Sequence, residues 1–128
     1  MIIKHIDTNT AVKIAAAYLK EWKDWKLISL RAANDPGAAN DPTHCQALYE
    51  LAERETIIKH IKQAQPVTGE ILEWRFIKRY QVKRCLDLLD KQQHSISERT
   101  FRNYQRQGLI IVYNLRPDTE TRLIKPAE

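Results

Sequence analysis

Residues 96–109 read ISERTFRNYQRQGL, and this stretch has the pattern of an amphipathic helix with a defined start. Ser97 is a favourable N-cap, because its hydroxyl can accept a hydrogen bond from a backbone N–H of the first turn. Glu98 follows it, where the positive end of the helix dipole stabilises a carboxylate. Apolar or small residues then recur at spacings of three and four, which predicts one buried face. They are Phe101, Tyr104 and Gly108.

The other face of the same helix is basic and polar. It carries Arg99, Arg102, Asn103 and Arg106. Arg can pair bidentately with guanine and Asn with adenine in the major groove of DNA, and both can also bind phosphate. One apolar face and one Arg/Asn face therefore indicate the reading helix of a DNA-binding helix-turn-helix. An ordinary amphipathic surface helix also has two faces, so the distribution of charge along the chain is needed to separate these interpretations.

Positive charge is concentrated on the segment that contains this helix. The chain of 128 residues has a formal net charge of +5, with −1 on residues 1–73, +6 on residues 74–107 and zero on residues 108–128. A basic segment of this kind is typical of a protein that binds nucleic acid, and a solvated Lys/Arg-rich surface is the alternative. The length suits one domain or two small helical lobes with a hydrophobic core.

Several classes of protein are not expected from this sequence. No stretch approaches the ~18 apolar residues of a membrane span, and the N-terminal residues lack the pattern of a secretory signal. Cys45 and Cys85 are isolated thiols that we expect to act as small apolar side chains, and the histidines are scattered. We therefore expect a reduced cytoplasmic protein without a metal site or cofactor. No glycine-rich phosphate loop or nucleophile motif is present, which predicts that the protein is not an enzyme.

Helical periodicity in the rest of the chain predicts an all-α fold, with an N-terminal helical pair and a C-terminal helix-turn-helix. The predicted organisation is an N-terminal helix in residues 1–31, a linker in 32–43, a central helix in 44–66 and a helix-turn-helix region in 67–128. Residues 66–69 are expected to break the central helix. Further helices are expected at about 70–79 and 82–90, followed by a turn at 91–95.

The N-terminal helices carry two notable patterns. The first helix, from about Asn9 to Leu30, has apolar residues around too much of its circumference to stand alone. Trp22 and Trp25 make it a candidate self-association surface, and a buried core helix is the alternative. On the central helix, a group of charged side chains is predicted to face solvent. It consists of Glu50, Glu53, Arg54 and Glu55.

The chain beyond the quoted stretch admits two interpretations. In the first, which we favour, the reading helix continues and buries Leu109, Val112 and Leu115 before an irregular tail. In the second, residues 110–115 pair with residues 121–125 as a short β-hairpin wing, which β-branched residues and a Pro-Asp turn favour locally.

With these elements placed, residues 8–115 resemble the ArpU family of phage transcriptional regulators. The order of the elements carries this resemblance, together with the segments Ile71-Leu72, Lys78-Arg79-Tyr80, Val82-Lys83-Arg84 and Ser97-Glu98-Arg99-Thr100-Phe101. In such proteins the C-terminal part is similar to the promoter-reading helix-turn-helix of sigma factors. The resemblance implies a late-gene regulator of a bacteriophage or prophage, acting with the host RNA polymerase in the bacterial cytoplasm.

A second resemblance covers the C-terminal part alone. Residues 97–104, followed by Gly108-Leu109-Ile110, are similar to the winged helices of MerR and excisionase proteins. That resemblance implies an excisionase-like or architectural DNA-binding protein whose wing touches phosphate, here through Arg116 or Arg122. A third hypothesis is a small DNA-packaging or structural phage protein with a basic helical lobe.

The preferred hypothesis is a sequence-specific double-stranded-DNA-binding regulator of transcription. Base edges and nearby phosphates are predicted to be contacted by Glu98, Arg99, Arg102, Asn103 and Arg106. The DNA backbone is predicted to be held by Lys78, Arg79, Lys83 and Arg84. Because one small helix-turn-helix covers few base pairs, we expect a homodimer or a partner protein.

Overall fold

A computed structural model describes residues 7–35, 37 and 41–117, and the regular elements within these ranges are all helical. In chain order they are α1 Thr8–Lys20, α2 Trp22–Asn34, α3 Pro42–Ala64, α4 Pro66–Leu72, which continues into a π-helical turn Glu73–Ile77, α5 Val82–Lys91 and α6 Glu98–Leu115. The predicted all-α fold class is confirmed.

Two groups of buried side chains form the core. The first cluster contains Ala15, Leu19, Ile57, Ile58, Ile61, Leu72, Phe76, Leu109 and Val112. The second cluster contains Ile71, Trp74, Cys85, Leu89 and Phe101. The segment formed by α4 and the π turn contributes to both clusters, because Leu72 enters the first and its neighbour Ile71 enters the second. This segment and α6 therefore join the N-terminal helices to the C-terminal helix pair.

The predicted first helix is divided at Glu21, where the helical hydrogen-bond pattern is interrupted. Arg54 of α3 explains the interruption, because its Nε donates a 2.7 Å hydrogen bond to the carbonyl of Tyr18. In a continuous helix that carbonyl would accept the N–H of Trp22. The inserted guanidinium thus separates α1, which packs against α6, from α2, which packs against α3.

Arg54 is buried, with 2% of its side chain exposed, and the prediction that it faces solvent is wrong. Its terminal nitrogens donate to the carbonyl and carboxylate of Glu50 at 3.0 and 3.2 Å, and to the carboxylate of Glu21 at 3.3 Å. The Tyr18 ring centroid lies 4.0 Å from its central carbon. Glu50 is buried as well, at 3% exposure, whereas Glu55 is exposed as predicted. A charged group tolerates burial when its donors find acceptors, as they do here.

The junction between α3 and α4 is shorter than predicted. Gln65 alone separates the two helices, and Pro66 begins α4. Proline is favourable in the first turn of a helix, because the N–H that it lacks would have no partner there. The predicted break after the central helix is therefore confirmed, but residues 66–69 are helical and belong to α4.

Helices also extend into both ends of the predicted linker 32–43. The last residue of α2 is Asn34, and α3 begins at Pro42. The carboxylate of Asp41 caps α3 by accepting the N–H of Thr43 at 2.9 Å. Residues 36 and 38–40 of this linker lie outside the described residues.

Two glycines allow helices to approach each other closely. A Cβ on Gly69 would lie 2.6 Å from the backbone nitrogen and Cα of Lys62, so glycine lets α4 fold back against the end of α3. A Cβ on Gly108 would lie 2.8 Å from Cγ2 of Thr68, so glycine also lets α6 lie close to α4. At Gly69 the obstacle is backbone, and at Gly108 it is a side chain.

The C-terminal helix α6 is continuous over 18 residues, which confirms the helical interpretation of the chain beyond residue 107. Leu109 and Val112 are buried as predicted, whereas Leu115 is 43% exposed and does not enter the core. Residues 110–115 belong to this helix, so they do not form the strand of a β-hairpin wing. Their proposed partners, residues 121–125, lie outside the described residues.

Candidate nucleic-acid interface

The helices α5 and α6 and the turn between them have a helix-turn-helix arrangement whose first helix is closed by a Schellman motif. The N–H of Gln93 donates to the carbonyl of Asp90 at 3.0 Å, and the N–H of His94 donates to the carbonyl of Leu89 at 2.8 Å. Gln93 has a φ of 65°, the left-handed conformation that this motif requires. The turn covers residues 92–97 and is displaced from the predicted 91–95.

The second helix of this arrangement, α6, begins as predicted. The hydroxyl of Ser97 accepts the N–H of Thr100 at 3.1 Å, which confirms Ser97 as the N-cap. Phe101 is fully buried in the second cluster, and Leu109 and Val112 enter the first. The apolar face of α6 is therefore held at both clusters, which fixes the direction in which the opposite face points.

That opposite face presents the four side chains predicted to read DNA. Arg99, Arg102, Asn103 and Arg106 are all exposed. Their spacings of three and four place them on one side of the helix. The prediction that they share a face is confirmed.

Two of these four side chains have partners within the chain. Arg102 pairs with Glu98, also predicted to contact DNA, at 3.3 Å, and their side chains are 62% and 60% exposed. Arg106 donates a 2.8 Å hydrogen bond to the side chain of Asn9 in the first turn of α1. The side chains of the other two, Arg99 and Asn103, form no hydrogen bond or ion pair with any described residue. An ion pair as exposed as Arg102–Glu98 contributes only about 0–1 kcal/mol, so a ligand can readily replace it.

The four residues predicted to hold the DNA backbone lie in one stretch between the π turn and the first turn of α5. Lys78, Arg79, Lys83 and Arg84 are all exposed. The ring of Tyr80 organises two of them, because its centroid lies 3.8 Å from Cζ of Arg84 and 5.9 Å from Nζ of Lys78. The structure therefore collects these cations in the loop before α5 and in the first turn of that helix, and residues 78–84 are called the cation loop below.

Arg75 in the π turn connects this loop to α6. Its Nε donates to the side-chain oxygen of Gln105 at 3.1 Å, and its NH1 donates to the carbonyl of Tyr80 at 2.8 Å. No sequence pattern singles out Arg75, because one Arg in a basic helical segment resembles any solvated charge. The only indication in the sequence is that Arg75 lies within the basic segment 74–107. The sequence does not single out Asn9 either, because its contact with Arg106 of α6 joins residues that are 97 positions apart.

The two cysteines differ in burial. Burial raises the pKa of the Cys85 thiol, which packs as a small apolar side chain as predicted. Cys45 is exposed on α3, contrary to that expectation. In the part of the chain that the structure describes, no three His, Cys, Asp or Glu side chains are grouped to hold a metal ion. None of the described helices is both long and apolar enough to cross a membrane.

Comparisons of the chain with protein-family models, with curated proteins and with solved structures found no match.

Proposed function

We propose that this protein is a sequence-specific double-stranded-DNA-binding regulator of transcription, with α6 as its reading helix. One observation carries the proposal. Four exposed Arg and Asn side chains share one face of a capped helix, and the other face of that helix is fixed in two core clusters. A rigid helix that presents bidentate donors fits the major groove.

The exposure of the first half of α6 supports insertion into a groove. Among residues 98–107, Phe101 is the only fully buried side chain. Arg99 and Asn103 lie one turn apart without a described partner, so both are available to pair with base edges. The contacts of Arg102 and Arg106 are exposed, and base or phosphate groups can replace them.

The cation loop supplies the second part of the interface. Phosphate contacts from such side chains set the register of a protein on DNA, and base contacts then select the sequence. Because the loop and the reading face lie on elements joined by Arg75 and Gln105, their relative positions are fixed before DNA binds.

The biological setting in this proposal is a bacteriophage or prophage in the bacterial cytoplasm, with the host RNA polymerase as a partner and without enzymatic activity. The resemblance of residues 8–115 to ArpU regulators supports this setting. A homodimer is also part of the proposal, since none of the described side chains of α2 is fully buried. Leu27 and Leu30 are 55% and 50% exposed, and large apolar side chains in that state suit a contact with a second copy.

The proposal is tested by selecting random-sequence duplex DNA with the purified protein over a range of salt concentrations. We expect a single enriched motif that persists at moderate salt, and a two-fold symmetric motif if the protein binds as a dimer. Binding that is tight at low salt but enriches no motif would contradict base reading. The packaging or architectural hypotheses would then be preferred.

A variant at the reading face sharpens this test. Arg102→Ala is expected to weaken binding to the selected site by about 1–3 kcal/mol, with a smaller effect on random DNA. The matched control is Lys59→Ala, which removes one exposed positive charge from α3. Equal losses on both DNAs would show that Arg102 contacts phosphate only.

A further inference from the structure

A small cationic pocket lies where the end of α1 meets the π turn. It has a volume of about 170 Å³ and is lined by Lys20, Arg75, Phe76 and Arg79. Three of these four side chains are cationic, and none is acidic. Pockets for organic ligands usually span roughly 300–1,000 Å³, so this pocket suits a small anion.

The guanidinium of Arg75 is already oriented within this pocket. Its Nε and NH1 donate to the side-chain oxygen of Gln105 and to the carbonyl of Tyr80. Its NH2 has no hydrogen-bond partner among the residues that the structure describes. A guanidinium that is held at Nε and NH1 keeps NH2 as a charged donor for an oxyanion.

Arg79 is placed in the pocket by an unfavourable backbone conformation. Its φ of 59° is left-handed, a region that residues with a Cβ rarely adopt. The chain closes around it, because Lys78 donates its N–H to the carbonyl of Glu73 at 3.0 Å and Tyr80 donates to that of Trp74 at 2.8 Å. Arg79 therefore closes the π turn in a left-handed conformation, and its side chain lines the pocket.

Charge balance around the pocket also favours an anion. Within the described ranges, neither Lys20 nor Arg79 forms an ion pair with a carboxylate. Three cations around one small volume repel one another, and an anion between them removes that repulsion. The ring of Phe76 contributes to the lining of the pocket beside these cations.

We propose that Lys20, Arg75 and Arg79 bind a phosphate group. Arg75 connects the pocket to α6 through its hydrogen bond to Gln105. A backbone phosphate of bound duplex DNA is one source of the group, and in that respect we build on the proposed function. Free phosphate in solution is the other source.

The first arm of the test measures DNA binding by the full chain. It compares the wild type with the double variant Lys20→Gln/Arg79→Gln, with Lys20→Gln alone and with the control Lys23→Gln/Lys59→Gln, which loses as much charge as the double variant from exposed sites. Fluorescence anisotropy of a labelled random-sequence duplex gives the affinity at several KCl concentrations. Loss of one phosphate contact is expected to reduce the slope of log K against log salt by about 0.9. The control is expected to keep the wild-type slope.

The second arm uses inorganic phosphate without DNA. The Tm of each protein is measured in potassium phosphate and in potassium chloride of equal ionic strength. Phosphate raises the Tm of most proteins in a general way. Only a rise in Tm larger than that of the double variant Lys20→Gln/Arg79→Gln, the pocket variant, therefore reports binding. Circular dichroism of both double variants confirms that they remain helical.

The two arms together separate the outcomes. A reduced DNA slope in the pocket variant and in Lys20→Gln alone, but not in the control, supports a DNA phosphate in the pocket, because Arg79 is already a proposed backbone contact and Lys20 is not. An unchanged slope with a phosphate-specific rise in Tm, lost in the pocket variant, supports a site for free phosphate. The proposal is overturned if the pocket variant matches the control in both arms. Failure of the wild type to bind DNA would refute the proposed function, and the phosphate arm would still decide on the pocket.

Discussion

Two regions of the molecule use arginine in opposite ways. The first region surrounds the first core cluster, and the second region surrounds the second core cluster. Beside the first cluster, Arg54 is buried and donates to Tyr18, Glu50 and Glu21 at distances of 2.7–3.3 Å. Beside the second cluster, Arg99 is exposed and has no side-chain partner among the described residues. Both residues lie on α-helices, so secondary structure does not explain the difference. Arg54 has hydrogen-bond acceptors within reach, and in the described part of the chain Arg99 does not. An arginine that finds acceptors holds helices together, and one that does not is available to a ligand.

Carboxylates are distributed in the same unequal way. The first region uses its acids internally, because the Tyr18 hydroxyl donates to Glu53 and Lys62 pairs with Glu73. The basic segment 74–107 has a net charge of +6, so most of its cations have no carboxylate to meet. The positive surface of the second region therefore follows from a local shortage of acids.

The largest expected effect is at Arg54. Arg54→Met leaves the buried Glu50 carboxylate without the guanidinium, and breaking a buried ion pair typically costs about 3–5 kcal/mol. Arg99→Met, the matched change in the second region, is expected to alter the free energy of unfolding by less than about 0.5 kcal/mol. Urea denaturation measures the free energy of unfolding of both variants. Similar losses in the two variants would remove the contrast between the regions.

The two close-approach glycines provide the next test. Gly69→Ala is expected to destabilise the fold by about 3 kcal/mol, because its Cβ meets the Lys62 backbone, which cannot move without displacing α3. Gly108→Ala is expected to cost less, about 1–2 kcal/mol, because its Cβ meets the side chains of Thr68 and Leu72 rather than backbone, and alanine favours helix. Thermal unfolding followed by circular dichroism ranks the two. The reverse ranking would show that the α4–α6 contact is more rigid than the α3–α4 contact.

A stabilising change is expected in the turn of the helix-turn-helix. Gln93→Gly removes the cost of a left-handed residue with a Cβ, a gain of about 1 kcal/mol. Gln92→Gly is the control, because Gln92 has a φ of −87° and gains nothing from glycine. Urea denaturation measures the free energy of unfolding of both variants. A gain in both or in neither would contradict the assignment of the Schellman motif.

The smallest effect is a loss of stability at alkaline pH that arises in the first region. Burial raises the pKa of Tyr18, and its hydrogen bond to Glu53 raises it further, so the folded protein keeps this hydroxyl protonated. The contribution of protonated Tyr18 to the free energy of unfolding is fully present below the usual tyrosine pKa of about 10. It is lost as the pH rises above that value, because only the unfolded state releases the proton.

The measurement for Tyr18 is the free energy of unfolding across this alkaline range. Tyr18→Phe is expected to flatten the decline with pH, whereas Tyr49→Phe, at a side chain that is 60% exposed, is expected to leave it unchanged. An identical decline in all three proteins would assign the effect to other groups.

Local pattern was sufficient for much of the fold and for the reading face. The helical spacing of Phe101, the cap at Ser97 and the separation of Arg99 from the buried face all depend on residues within a few positions of each other. The same holds for α5, which begins at Val82 as expected. Local pattern was insufficient in α4 and the π turn, where the neighbours Ile71 and Leu72 are buried in different clusters.

By itself, the sequence determined that this chain is helical, that α6 begins at a Ser cap, and that positive charge gathers in residues 74–107. These properties follow from short-range hydrogen bonding, spacing and composition. Only the tertiary structure decided that Arg54 interrupts the first helix, that Gln105 holds Arg75, and that Lys20 joins Arg79 in one pocket. The physical reason is distance along the chain: the Arg54–Tyr18 hydrogen bond spans 36 positions. Such a contact depends on acceptors that folding alone brings near.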